Sequence, residues 1–242
     1  MPGLLISDDA AVRVLTMNRP EKRNALNMAL SEALLEALRE ADRTESVRAL
    51  VLTGAGPAFC AGADLSEFKE LTPDKEMLVE RRSALTVDLH RVFSQLQKPV
   101  VTAINGAAMG GGAGLALAGD IAVMSATAKI GYPEVKHGIV AAVVMANLVR
   151  SAGRKAAFEL LATGKPIDAA RALALGLVNR VVAPDKLMDE ALQLAYALAA
   201  VAPQAMAATK TLFYRVADLS FEDALKEGGK VNKRMRAFRS DN

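Results

Sequence analysis

Residues 98–114 read Lys-Pro-Val-Val-Thr-Ala-Ile-Asn-Gly-Ala-Ala-Met-Gly-Gly-Gly-Ala-Gly. The apolar run at 100–104, which follows Pro99, is typical of a buried strand, and Asn105-Gly106 opens a loop that runs into a glycine-rich helix start. An earlier stretch has the same plan, because an apolar strand at 48–53 is followed by Ala-Phe-Cys-Ala-Gly-Ala-Asp-Leu at 58–65. We therefore predict two loops that each follow a strand and lead toward a helix.

Such loops present backbone amides to a ligand. Free amides at a helix N-terminus carry partial positive charge, so two loops side by side can bind one developing oxyanion. Glycine is needed where the backbone itself must touch the ligand, although a single glycine cluster is more often a tight turn or a helix contact. The second loop lacks the Lys-Ser/Thr ending of a P-loop and the spacing of the Rossmann fingerprint, which disfavours a nucleotide site.

The composition is that of a soluble globular protein. The chain has 242 residues, of which 52% are hydrophobic and 24% charged, and charges interrupt every apolar stretch too often for a membrane span. The first nine residues lack the features of a secretory signal, so we expect a cytoplasmic protein. Cys60 is the only cysteine, which excludes an intrachain disulfide. A net charge of +3 and 4% aromatic residues argue against nucleic acid as a partner, and no residue cluster has metal-ligand spacing.

Hydrophobic periodicity predicts an α/β body followed by a helical region. The order of strand, helix and strand over the first 53 residues favours a parallel sheet. We divide the chain into a body at 1–182 and a C-terminal helical region at 183–242, with breaks near Pro203 and Ser220. Expected strands lie at 12–17, 48–53, 100–104, 121–124, 129–131 and 178–182, and expected helices at 28–44, 73–97, 140–150, 154–162 and 167–175.

Four segments together resemble the crotonase superfamily, also called the enoyl-CoA hydratase/isomerase family. They are residues 18–26 (Asn-Arg-Pro-Glu-Lys-Arg-Asn-Ala-Leu), 59–65, 98–112 and 158–182, and the likeness extends over nearly the whole chain. The resemblance implies an α/β fold, a ClpP-like spiral of β-β-α units with a C-terminal helical trimerisation region. It also implies a homo-oligomer, either a trimer or a dimer of trimers.

The resemblance further implies a site for an acyl-coenzyme A. The amides of Ala63 and Gly111 would be the two oxyanion donors, and coenzyme A would be part of the substrate, with no separate cofactor. Cationic candidates for its phosphates are Lys22 and Arg23, together with Lys233 or Arg234 of a neighbouring subunit. The implied coenzyme A contacts come from Arg19, Lys22, Ala25, Ala61, Asp64, Leu65, Ser66 and Gly110.

Glu134, in Gly-Tyr-Pro-Glu at 131–134, is the candidate acid and base, because an enolate forms only if a group removes the α-proton. Without the resemblance, a surface glutamate after a turn-making proline is the favoured interpretation. Hydratases of the family use a second glutamate three residues after the Gly111 position, where this chain has Gly114. A single carboxylate can carry a proton between C2 and C4, which favours isomerisation of 3-enoyl- to 2-enoyl-CoA. The alternative is a 2-enoyl-CoA hydratase of fatty-acid β-oxidation.

Several polar residues have competing interpretations. We expect His137 to make a structural contact, His90 to be exposed on its charged helix, and Asp120 to be structural. Cys60 has no histidine and acidic partner beside it in sequence, so we expect a small packing residue. Asp64 is expected to cap the following helix and to hold the first oxyanion loop. A function of another class stays open, namely a non-catalytic relative that binds acyl-CoA or RNA.

Overall fold

The computed structural model describes residues 2–69 and 71–236, and its strands form two sheets. The larger sheet contains, in spatial order, β1 (Leu4–Asp9), β2 (Val12–Met17), β3 (Ala49–Gly54), β5 (Val100–Ile104), β7 (Ile121–Ser125) and β10 (Arg180–Val182). The smaller sheet contains β4 (Ala58–Cys60), β6 (Ala107–Met109), β8 (Lys129–Gly131) and β9 (Ile167–Asp168), also in that order.

From β3 onward the chain alternates between the sheets. β3, β5 and β7 are parallel neighbours in the larger sheet, and each is followed directly by β4, β6 or β8, which are parallel neighbours in the smaller one. Parallel neighbours require a return crossover, which helices provide. This repeat is the predicted spiral of β-β-α units, and the α/β fold is confirmed.

The helices cover both faces of the larger sheet. One face packs against the main core, and the other is covered by α6, whose Leu187, Ala191 and Ala195 recur at four-residue steps. The strands β3 and β5 are apolar apart from Thr53 and Thr102, and every residue in them is buried because both faces of the sheet are covered. The helices are α1 (Met28–Arg43), α2 (Glu76–Gln95), α3 (Gly111–Ala118), α4 (Met145–Thr163), α5 (Ala169–Ala174), α6 (Leu187–Ala199), α7 (Pro203–Val216) and α8 (Phe221–Arg236).

Most predicted elements are present, and the differences have local causes. The helix expected at 167–175 begins as β9, and Asp168 then caps α5 by accepting a hydrogen bond from the Arg171 amide. The two helices expected at 140–150 and 154–162 correspond to the two parts of α4, which are separated at Gly153 (φ 73°) as predicted, although the first part begins only at Met145. Residues 140–144 precede that helix. β4, β6 and β9 have only two or three residues each, too few for a strand period to show in the sequence.

The C-terminal region contains α6, α7 and α8, with a turn before Pro203 and the start of α8 after Ser220. Residues 237–242 of the predicted helical region lie outside the described residues, and the boundary after residue 182 stays a prediction. Among the described helices, none is by itself long and apolar enough to cross a membrane. The helical segments Pro184–Ala199 and Pro203–Val216 are long and apolar enough only when they are counted together, and the chain bends by 107° between them.

Candidate active site

The first loop is held against Leu26. The Leu26 amide donates to the Gly62 carbonyl at 2.7 Å, and the Asp64 amide donates to the Leu26 carbonyl at 3.1 Å. Because backbone groups alternate in direction along an extended segment, the Ala63 N–H faces away from Leu26. Within the described part of the chain this N–H donates to no acceptor. It is therefore free to bind a ligand oxygen.

Asp64 fixes the chain immediately after Ala63. Its Oδ1 accepts hydrogen bonds from the Ser66 hydroxyl at 2.6 Å and the Ser66 amide at 3.2 Å, and its Oδ2 accepts from Arg19 Nη2 at 2.9 Å. Arg19 also donates to the Ala25 carbonyl. The hydrogen bonds from Ser66 and Arg19 outweigh the effect of burial and lower the pKa of the Asp64 carboxyl. Asp64 therefore stays ionised and holds the loop in place.

Two further contacts that hold this region were not anticipated from the sequence. Asn24 is fully buried at φ 56°, a left-handed conformation that asparagine tolerates, and its side chain donates to the Ala55 and Ala58 carbonyls. The Glu67 carboxylate accepts from the Met28 amide at 2.9 Å and so caps α1. The first loop leads to a helix as predicted, although this helix is a short 3-10 helix (Glu67–Lys69).

The second loop ends at Gly111, the first residue of α3, as the sequence predicts. The amide of Gly110 donates to the Gly131 carbonyl of β8 at 2.9 Å, and Gly110 has a φ of 51°, which favours glycine. The Gly111 amide donates to no acceptor in the described residues, as is usual for the first turn of a helix. It is the second free donor.

The two loops touch through their backbones. Gly62 has a φ of 90°, and a Cβ placed on it would lie 2.7 Å from the Met109 carbonyl oxygen and 3.3 Å from the Gly111 nitrogen. A Cβ placed on Gly111 would lie 3.9 Å from the Ala63 nitrogen. The two free amides therefore lie side by side, as an oxyanion hole requires.

The Glu134 carboxylate lies beside this pair of amides. Glu134 belongs to a short 3-10 helix (Pro133–His137) just after β8, and the pairing of β6 with β8 brings it to the second loop. A Cβ placed on Gly110 would lie 2.7 Å from Glu134 Oε1. The buried Oε2 has no hydrogen-bond partner among the described residues, and burial raises the pKa of the carboxyl. An unpaired carboxyl of raised pKa is suited to accept and return a proton.

Both histidine predictions are wrong. His90 is only 8% exposed, because it lies on the face of α2 that packs against α3. Its Nδ1 lies 2.8 Å from the Thr86 carbonyl oxygen and its Nε2 lies 3.3 Å from the Gly111 carbonyl oxygen. His137 is exposed and makes no hydrogen bond within the described residues, because it ends a surface turn.

Three further polar side chains, those of Cys60, Asp120 and Tyr132, are buried or half-buried. Cys60 is completely buried, and burial raises the pKa of its thiol to about 12, which confirms the interpretation as a packing residue. Asp120 is structural as predicted, since it accepts hydrogen bonds from Lys210 and Tyr214. The fully buried Tyr132 hydroxyl lacks a partner among the described residues, and burial together with Glu134 raises its pKa.

The residues expected to contact coenzyme A differ in exposure. Arg19 and Asp64 bind each other, and Ala25 is buried, so these three form the base of the first loop. A cavity of about 500 Å³ lies beside Arg19 and Pro20. The exposed residues of this set are Lys22, Ala61, Leu65, Ser66 and, on α8, Lys233 and Arg234.

A metal site is a separate question. No group of three or more described histidine, cysteine or acidic residues could hold a metal ion.

Comparison with known proteins gives concordant matches. The family model described as enoyl-CoA hydratase/isomerase matches residues 7–238. A putative enoyl-CoA hydratase of Thermus thermophilus is 43% identical over 242 residues, which cover 94% of each chain. A crystal structure of an enoyl-CoA hydratase of Mycobacterium smegmatis is 38% identical, with a TM-score of 0.93, and covers 100% of this chain and 92% of its own. A monofunctional enoyl-CoA isomerase of M. smegmatis is 28% identical, with a TM-score of 0.79 and coverage of 93% and 99%.

Replacing Asp64 with Asn should lower the free energy of unfolding by about 1–2 kcal/mol at pH 7, because the charged hydrogen bond with Arg19 is lost. Since folding lowers the pKa of this carboxyl, its stabilisation is complete above the ordinary value of 3.8 and disappears as pH falls through the lower folded value. Urea unfolding at pH 7, 4 and 3 should therefore show a difference from the native protein that shrinks in acid. Asp185→Asn, at an exposed carboxylate, is the control, and a difference independent of pH would contradict the assignment.

Proposed function

The chain belongs to the enoyl-CoA hydratase/isomerase family, and we propose that it binds an acyl-coenzyme A and stabilises the enolate of its thioester with the Ala63 and Gly111 amides. The family that the four sequence segments resemble is confirmed, and the chain is an enzyme of that family. One observation carries the proposal, namely that two free amides lie side by side with an unpaired carboxylate next to them.

The chemistry follows from where charge develops. Removal of a C2 proton from an acyl thioester moves negative charge onto the carbonyl oxygen. N–H dipoles already aimed at that oxygen stabilise the charge without reorganisation, and the surrounding apolar protein strengthens the interaction. Ala63 is held by the Leu26 and Asp64 contacts and Gly111 by the start of α3, so both donors are fixed before the substrate binds.

Glu134 would move the proton. With a 3-enoyl-CoA, its carboxylate takes a proton from C2, and the electron pair forms a dienolate whose oxygen lies between the two amides. The carboxylic acid then returns the proton to C4, and the double bond moves from C3=C4 to C2=C3. Glu134 ends as it began, so this isomerisation needs one carboxylate, and Glu134 supplies it because Asp64 is engaged by Arg19 and Ser66. Burial raises the pKa of the Glu134 carboxyl, which makes the carboxylate a stronger base.

Hydration of a 2-enoyl-CoA is the second candidate. The T. thermophilus relative, 43% identical, is named a putative enoyl-CoA hydratase, and the M. smegmatis structure, 38% identical, is named an enoyl-CoA hydratase. In this reaction the water oxygen adds to C3 and a proton adds to C2. Gly114 offers no second carboxylate to activate water, and for this reason isomerisation is our first candidate.

We also propose that the coenzyme A moiety passes the exposed edge of the first loop. Ala61, Leu65 and Ser66 are exposed next to the Ala63 amide, and Lys22 lies exposed on the neighbouring turn that follows Arg19. A lysine ammonium at this edge can neutralise a phosphate while it remains hydrated.

We further propose that the protein assembles as a trimer or a dimer of trimers through its C-terminal helices. α8 contains no buried residue among those described, although it is amphipathic. Phe213 on α7 is 64% exposed, and Phe221 and Leu225 on α8 are 80% and 58% exposed. Large apolar side chains exposed to water favour burial against another copy of the chain.

Gly111→Pro tests the oxyanion hole, because proline removes the amide hydrogen while the first position of a helix tolerates its ring. The turnover number should fall roughly 100- to 1000-fold. Gly111→Ala is the matched control, since it keeps the amide and its Cβ would lie no closer than 3.5 Å to any neighbour. Steady-state kinetics with 3-enoyl- and 2-enoyl-CoA make the measurement. Equal activity of the two variants would contradict the role of this amide.

The double variant Phe213→Ser, Phe221→Ser should reduce the molar mass in light scattering from that of an oligomer toward 25.5 kDa, because it removes the apolar contact surface. Met77→Ser, at a residue that is 83% exposed on α2, is the control and should leave the mass unchanged. A native protein that is already monomeric would refute the proposed assembly.

A further inference from the structure

His90 and Val144 fill the space in front of Gly114. A Cβ placed on Gly114 would lie 2.4 Å from Val144 Cγ1 and 2.7 Å from His90 Nε2, distances at which atoms overlap. His90 is 8% exposed and Val144 is 5% exposed, so both side chains are packed rather than mobile at the surface. We call these two side chains the His90–Val144 wall.

The wall lies one helical turn along α3 from the Glu134 carboxylate. Gly114 lies one helical turn beyond Gly110, to whose carbonyl its amide donates at 2.9 Å. Gly110 in turn lies against Glu134 Oε1. The order of groups along α3 is therefore Glu134 beside its first turn and the His90–Val144 wall one turn later. A thioester bound at the Gly111 amide would have Glu134 nearer to it than the wall.

The imidazole of the wall is unsuited to proton transfer. Both ring nitrogens point at backbone carbonyl oxygens, those of Thr86 and Gly111, which can only accept hydrogen bonds. Burial lowers the pKa of His90 by more than its two backbone contacts raise it. A neutral ring can donate to only one of these two oxygens, and neither oxygen can supply a proton to the other ring nitrogen. The ring is thus held between α2 and α3, where it acts by its volume.

We propose that the His90–Val144 wall determines the outcome of the reaction by keeping water away from the α3 side of the reacting carbons. The inference rests on the proposed enolate chemistry at Ala63, Gly111 and Glu134. With water excluded, the proton on Glu134 returns to C4 and the 3-enoyl-CoA becomes a 2-enoyl-CoA. With water admitted, its oxygen adds to C3 of the 2-enoyl-CoA while C2 is protonated, and the product is a 3-hydroxyacyl-CoA.

His90→Ala and Val144→Ala test the wall separately. For each variant, initial rates of isomerisation from 3-enoyl-CoA and of hydration from 2-enoyl-CoA are measured in deuterated water, with products identified by mass spectrometry. The ratio of hydration to isomerisation should rise about tenfold or more, which is at least ~1.4 kcal/mol between the two transition states. Val92→Ala is the matched control, because it shortens a buried side chain of α2 that is not among the contacts of Gly114.

The possible outcomes separate the explanations. A rise in the ratio in both wall variants, with no change in Val92→Ala, supports the proposal. An unchanged ratio overturns it, and so does a selective loss of hydration in His90→Ala, which would make the imidazole a base. If His90→Ala fails to fold, Val144→Ala alone decides. If the native protein catalyses neither reaction, the proposed function itself fails.

Discussion

The site depends on direct backbone contact between two loops. The parallel pairing of β4 with β6 sets their relative position, with Ala58 opposite Ala107 and Cys60 opposite Ala108. Three residues after β4 and two residues after β6 the chain reaches Ala63 and Gly111. A side chain at Gly62 would separate the loops by occupying the position next to the Met109 carbonyl. Only glycine fits at position 62 if the Ala63 and Gly111 amides are to donate to the same oxygen atom.

The charges around this contact are arranged to tolerate a second negative charge. Asp64 lies next to the Ala63 donor and would repel an oxyanion if it were unpaired, but Arg19 binds it directly. Within the described part of the chain Glu134 forms no ion pair, and its buried oxygen lacks a hydrogen-bond partner there. One carboxylate is thus neutralised to hold the backbone, while the other is left with a raised pKa for proton transfer.

The sequence predicted the parts of this arrangement that rest on local patterns. Apolar strands, the period of α1 and the glycine start of α3 are readable because each reflects a short-range periodicity or a backbone requirement. The contacts made by Asn24, Glu67 and His90 were not predicted, because they join residues that are remote in sequence. For α2 the many charged residues suggested exposure, yet its His90 face packs against α3. Whether a polar residue on an amphipathic helix is buried depends on its neighbours.

The most direct test of the account is exchange of the α-proton of a saturated acyl-CoA, such as butyryl-CoA, in deuterated water. This measurement isolates enolate formation from later steps. The native protein should exchange the proton, and Glu134→Gln should do so at least about 100-fold more slowly, since the positioned base is removed. Calorimetry should show unchanged butyryl-CoA affinity. Exchange by Glu134→Gln at the native rate would contradict the central role of this carboxylate.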